Sequence, residues 1–263
     1  MGSATTQALA GTTAALGSAS GVDIDVAREL FAAARSVGDT SALSGALADS
    51  AAASAARAKV VADVFGAALR PVSVSLLTAA VSERWSSASD MVDGLEELAI
   101  RAAAVAEPAS PVEDELFRFS RTVAENPELE LALGSRLGDA SAKGALVDTL
   151  LTGRSSEAAR LIVSSLVQQP RERRVRQLVA NAMRVVADQR GRTVATVSSA
   201  APLSDAQVQR LSATLSKRYG TEVAINTVVD PAVIGGVRVQ IANDVIDASV
   251  STRLADLRQR LAG

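Results

Sequence analysis

The 263-residue chain has no cysteine and no histidine. Without cysteine it can form no disulfide, no thiolate nucleophile and no thiolate metal site. Without histidine it lacks the commonest general base and metal ligand. Aromatic residues make up 2% of the chain, so any core must be built of alanine, leucine and valine, with helices in close contact. Positive charge is not in excess: 27 basic residues face 29 acidic ones, a net charge of −2. A protein that neutralises many phosphates carries a basic surplus, so nucleic acid is disfavoured as a partner. No run reads as a membrane span. Residues 2–22 carry no charge, but they lack the basic start and leucine-rich middle of a signal peptide. They read as a weak N-terminal helix with a loose end, and the chain as a soluble cytoplasmic one.

The usual signatures of chemistry are also missing. There is no Gly-x-x-x-x-Gly-Lys-Ser/Thr and no Gly-x-Gly-x-x-Gly, so no phosphate-cradling loop is expected. Gly17-Ser18-Ala19-Ser20-Gly21 places alanine where a nucleophile elbow needs serine. Asp244 and Asp247 could be proposed as a carboxylate pair, but they read as a turn residue and a strand-end residue bonding local backbone. Glu113, Asp114 and Glu115 follow Pro111, where the positive end of a helix favours acids. The one dense basic run, Arg171-Glu172-Arg173-Arg174-Val175-Arg176, reads first as a solvated helix start or loop. A protein contact comes second, and RNA last, because no aromatic lies nearby to stack a base. No catalytic residue, cofactor site or metal site is predicted.

What the chain does have is helical periodicity over a core that 48% apolar residues make possible. Val26, Leu30, Phe31 and Ala34 form one apolar face. Leu43 and Leu47 form a second, after Asp39-Thr40. Val60, Val61, Val64, Phe65 and Leu69 form a third. Pro71 suits a helix start, with Val74, Leu76, Leu77 and Val81 behind it. Met91, Leu95, Leu98 and Val105 complete this part, which ends near Pro108. Then the text repeats. Glu115-Leu116-Phe117 echoes Glu29-Leu30-Phe31, Arg160-Leu161-Ile162 echoes Ser75-Leu76-Leu77, and Leu137-Gly138-Asp139 echoes Leu47-Ala48-Asp49, at offsets of 86, 85 and 90. Two related helical bundles are expected, at 1–106 and 107–190.

The composition shifts after Arg190-Gly191. Val194 to Val197 reads as a strand. Ser204 with Gln207 is a capping box for a helix through Val208, Leu211 and Leu215, which Gly220 ends. Val223, Ile225, Thr227 and Val229 alternate as a second strand, so strand, helix and strand suit a crossover unit. After Asp230-Pro231 and Gly235-Gly236, Val237, Val239 and Ile241 alternate again. Asn243-Asp244 suits a tight turn, and Val245, Ile246 and Val250 a returning strand. Val250, Leu254, Leu257 and Leu261 then recur as a closing helix. The expected fold is mostly α, with two related bundles followed by a small α/β domain with a mixed sheet at 191–263.

One stretch carries a resemblance. Asp230-Pro231, Ile234-Gly235-Gly236, Val237-x-Val239-x-Ile241, Val245-Ile246-Asp247, Ser249-Val250, Arg253-Leu254 and Leu257 resemble the C-terminal motif of the delta subunit of F-type ATP synthase. That family is also called the oligomycin-sensitivity-conferring protein. Ala248 departs from the glycine usual between the aspartate and the serine. Arg190-Gly191, Val194 to Ala200 and Pro202-Leu203-Ser204 are similar to the same family, and Gln7-Ala8-Leu9-Ala10 loosely matches its N-terminal segment. The resemblance implies a long bacterial form of a non-catalytic stator subunit at the cytoplasmic face of the cell membrane. Its bundle would receive N-terminal helices of the alpha subunits, and its C-terminal domain the end of the b subunit. On that footing residues 4–106 are expected to take the alpha-subunit helix and the second bundle to be a spacer or extra b contact. The alternative is a generic helical adaptor unrelated to ATP synthase.

Overall fold

The computed structural model describes residues 2–135, 138–171, 173–233, 235–241 and 244–247. They divide into two compact units, 1–186 and 187–263. The first is all helix: α1 (Ser3–Ser18), α2 (Ile24–Asp39), α3 (Ser41–Ala48), α4 (Ser54–Phe65), α5 (Pro71–Ser82), α6 (Ala88–Ala106), α7 (Val112–Glu125), α8 (Pro127–Gly134), α9 (Ala140–Leu151) and α10 (Glu157–Gln168), followed by α11 (Val175–Gln189). Local signals set the boundaries. Asp23 caps α2 by accepting from Asp25 N and Val26 N, Ser87 caps α6, and Pro71 and Pro127 open α5 and α8.

The buried positions recur along the unit. Val26, Leu30 and Val37 of α2 are matched by Val112, Leu116 and Val123 of α7, each pair 86 apart (112 − 26 = 86). Leu47 is matched by Leu133, Val61 by Val147, and Leu76, Leu77 and Val81 by Ile162, Val163 and Val167, all at the same offset. Packing partners recur too: α5 packs against α1, α2 and α4, and α10 against α6, α7 and α9. Even a buried cation recurs. Arg57 donates to the carbonyls of Ser82 and Glu83, and Lys143, 86 residues on, to that of Ser135. Two textual echoes shift in register: Leu76 is matched by Ile162 rather than Leu161, and the echo of Leu47 moves as well. The counterpart of Leu47 is Leu133 on α8, and Leu137 lies outside the described residues.

Helix α6 belongs to both series. At an offset of 86 the buried residues Thr5, Ala8, Thr12 and Leu16 of α1 fall on Met91, Gly94, Leu98 and Ala102 of α6. At 87, Met91, Val92, Leu95 and Leu98 fall on Leu178, Val179, Ala182 and Val185 of α11. Between Met91 and Ala104 every residue but Asp93 is buried. A helix enclosed on all sides is a core element rather than an amphipathic surface one. The buried residues of both series accordingly form one continuous apolar cluster.

The second unit is a four-stranded mixed sheet with one described helix beside it. Strand β1 (Arg192–Ser199) pairs in parallel with β2 (Glu222–Val229) through the crossover helix α12 (Asp205–Tyr219), and antiparallel with β3 (Val237–Ile241). Strand β4 (Asp244–Asp247) returns antiparallel to β3, giving the order β2-β1-β3-β4. Its core is Ala195, Val197, Leu215, Val223, Val239 and Ile241. The hairpin, crossover and capping residues follow the sequence reading. The closing helix over Val250–Leu261 and the turn residue Asn243 lie outside the described residues.

Candidate docking surfaces

The charged groups of the helical unit are arranged to hold helices in place. In each series a glutamate grips the start of a helix 41 residues away. Glu29 accepts the backbone N–H of Arg70 at 3.0 Å and the hydroxyl of Ser73 at 2.5 Å. Glu115 accepts the backbone N–H of Ser156 at 3.0 Å and its hydroxyl at 2.5 Å. Each carboxylate thus serves the otherwise unpaired donors at a helix N-terminus. Burial pushes the Glu29 carboxyl up, but Ser73 and the N–H and guanidinium of Arg70 outweigh it and hold it below the ordinary carboxylate range. The same guanidinium holds Asp23 low.

The basic run is engaged in the same way. Arg173 reaches back across 77 residues to α6, with its two guanidinium nitrogens 2.8 Å from the two carboxylate oxygens of Glu96. Arg171 lies 2.9 Å from Glu96 and 2.6 Å from Asp93. Arg176 meets Glu130 at 2.9 Å. The reading of this run as a solvated helix start or loop is corrected for Arg171 and Arg173, which are half-buried and paired, whereas Arg176 is exposed in the first turn of α11 as that reading expects. Arg171 also holds φ +46°, rare for a residue with a side chain, in the connection between α10 and α11. Glu97 and Arg101 pair within α6 at 2.7 Å, both nearly enclosed.

The other residues singled out in the sequence stand apart. Asp244 is exposed and accepts from the Tyr219 hydroxyl at 3.3 Å, and Asp247 pairs in register with Arg238. Glu113 and Asp114 lie in the first turn of α7, as the helix-start reading expects, whereas Glu115 reaches Ser156. The glutamate grips were not foreseen, although the Glu-Leu-Phe echo had marked both residues.

Large apolar side chains are exposed on several elements, among them Val64 of α4, Val229 of β2 and Val245 of β4, and three lie on α8 and α9. Leu131 is 74% exposed, Leu146 40% and Leu150 37%. Leu131 stands beside a hollow of about 380 Å³ with Pro127, Gly134 and Val175. A second hollow, of about 240 Å³, lies between α7 and α9, with Phe119, Leu129, Leu150 and Leu151 as its apolar lining. Leu131 and Leu150 line separate hollows, and exposed leucines standing singly are ordinary.

Internal ion pairs brace the helical unit, and apolar side chains stand exposed at its surface. The family model described as "ATP synthase delta (OSCP) subunit" matches residues 98–261. The chain belongs to that family. It is 47% identical over the full length of both chains to a protein of Leifsonia xyli subsp. xyli named ATP synthase subunit delta. It is 43% identical over 194 residues to one of Streptomyces avermitilis with the same name, covering 72% of this chain and 71% of that one. A relative from Thermobifida fusca is 38% identical over 198 residues, covering 73% of each. The family is a non-catalytic one within the ATP synthase complex. No helix among the described residues is long and apolar enough to cross a membrane.

Proposed function

We propose that the chain is a peripheral-stalk subunit that ties the catalytic head of ATP synthase to its membrane sector. It would sit at the cytoplasmic face of the membrane without entering it. The match to the delta family over residues 98–261 carries this reading. Rotation drags on the head, and a stator must oppose that drag through contacts that do not slip. Apolar helix-in-groove contacts on a rigid scaffold suit the task.

Within that reading the chain divides into a first helical copy at 1–106, a second at 107–190 and an α/β domain at 191–263, the copies merging on α6. The sequence expectation gave the head to residues 4–106. The family match begins at residue 98 and favours the second copy as the receiver of an alpha-subunit N-terminal helix. The first copy then serves as a spacer or additional contact, and the α/β domain takes the C-terminal end of the b subunit.

The test uses the full chain, tagged and purified from gently solubilised membranes. Alpha and b subunits are expected to co-purify with it. Depletion is expected to uncouple ATP hydrolysis from proton pumping while hydrolysis persists. Absence of both subunits from the purified material, or unaided consumption of ATP by the chain, would overturn the reading.

A further inference from the structure

The backbone N–H and C=O of a strand residue point to the same side, and successive residues alternate between the two sides. Strand β2 stands at the edge of the sheet, with β1 as its one neighbouring strand. Asp230 N donates to the Ser199 carbonyl at 2.8 Å, so the even-numbered residues of β2 face β1. The odd-numbered ones, Val223, Ile225, Thr227 and Val229, turn their backbone groups outward. Helix α12 serves the first of them. Ser216 Oγ accepts the N–H of Val223 at 2.8 Å, and Ser212 Oγ donates to its carbonyl at 2.6 Å. Among the described residues nothing bonds the outward groups of Ile225, Thr227 or Val229.

Open edges are usually guarded by lysine, proline or a bulge. The run from Val223 to Val229 has no charged residue and no proline, and its register with β1 is unbroken. Thr227 and Val229 are exposed. The three unserved residues also complement themselves. Laid antiparallel on a second copy with Thr227 against Thr227, Ile225 meets Val229 and Val229 meets Ile225. Each of these is a hydrogen-bonded pair, so every outward N–H of the three residues finds a carbonyl. β-Branched side chains oppose each other, and threonine opposes threonine, both favourable cross-strand combinations. The acids that bound the run do not collide: Glu222 falls opposite Ala232, and Asp230 opposite Ala224.

We propose that the outer edge of β2 is a self-pairing surface, on which a second copy of this chain docks antiparallel through Ile225 to Val229 and joins the two sheets into one. The two-fold axis passes beside Thr227, and the contact is isologous. A helix cannot take this place, because its own backbone groups are already paired along its axis. The contact is short, well under the roughly 800 Å² per partner of a standard-size interface, so the pairing is reversible and depends on concentration. It is a property of the free chain. It therefore goes beyond the stator reading and does not depend on it.

Sedimentation velocity of the full chain between about 1 μM and about 1 mM tests the pairing, and the mass is expected to rise from one chain toward two across that range. Thr227→Lys sets like charges face to face and should hold the chain at one copy throughout. Val245→Lys, on β4 at the opposite edge of the sheet, should leave the association unchanged. Crosslinking tests the register, because the chain has no cysteine of its own. Thr227→Cys should give a disulfide-linked dimer under oxidised glutathione, since opposed Cα atoms about 5.5 Å apart suit a disulfide. Val229→Cys, which faces Ile225 of the second copy, should stay unlinked over the same time. Unchanged circular dichroism and urea midpoints confirm the fold of each variant. A single-chain mass at every concentration, pairing that survives Thr227→Lys, an equal effect of Val245→Lys, or linking of Val229→Cys as fast as that of Thr227→Cys would overturn the assignment.

Discussion

Glu115 and Ser156 lie 41 residues apart, yet the carboxylate of one holds both the backbone N–H and the hydroxyl of the other. Glu29 holds the N–H of Arg70 over the same separation. The repeat therefore preserves a hydrogen-bonded brace as well as an apolar pattern. Glu29→Ala and Glu115→Ala are each expected to lower stability by about 1–3 kcal/mol, the range for a bond to a charged group whose partner is left unsatisfied. The braces share no partner, so the double variant should lose close to the sum. Urea denaturation of the three proteins measures this.

The first brace also predicts an acid response. Glu29 and Asp23 are held below their ordinary values of 4.5 and 3.8 in the folded chain. A depressed carboxylate stabilises the fold above its unfolded value, and that stabilisation is lost as pH falls through the folded one. Urea midpoints should therefore be steady down to about pH 5.5 and fall from about pH 4.5 downward. In Arg70→Ala, which removes the guanidinium that both acids face, the decline should be shallower.

Trp85, the only tryptophan, lies across Gly94 of α6 and donates its ring N–H to the Ala80 carbonyl at 2.8 Å. A methyl group at position 94 would stand 2.1 Å from the ring. Gly94→Ala should cost about 1–3 kcal/mol through overpacking. Tryptophan emission reports the displacement directly, and a shift to longer wavelength is expected.

Glu96 carries two arginines at a nearly enclosed site. Removing one partner of such a group leaves the others uncompensated, and Glu96→Ala should cost about 3–5 kcal/mol. Asp93 still faces both arginines, which places the expectation at the lower end. Arg173→Lys should not restore full stability, because lysine cannot make the two-pronged contact. Thermal melts of both variants test the pair.

The α/β unit was largely legible in the sequence because its signals are local. Ser204 N donates to the Gln207 side chain at 2.8 Å, Gly220 ends α12 at φ +71°, and β3 and β4 pair as the alternation of Val237, Val239 and Ile241 requires. Each of these features is decided by residues a few positions apart. The arginine run was misread for the opposite reason: what Arg171 and Arg173 do depends on acids more than 70 residues away. The letters carry an echo at offsets of 85 to 90. Its register came from buried positions, which a string of letters does not reveal: matching Leu-Gly-Asp to Leu-Ala-Asp gave an offset of 90, whereas Leu47 and Leu133 set it at 86.

Helix α6 has a practical consequence. Because it closes one set of helices and opens the next, the chain has no seam near residue 107 at which it can be cut into two soluble halves. A fragment beginning there would leave the apolar side of α10 bare, and one ending there would keep α6 but expose the face that α10 covers. Proteases should find no durable nick between residues 88 and 106, and a pull applied to either set of helices passes to the other through a packed rod instead of a tether.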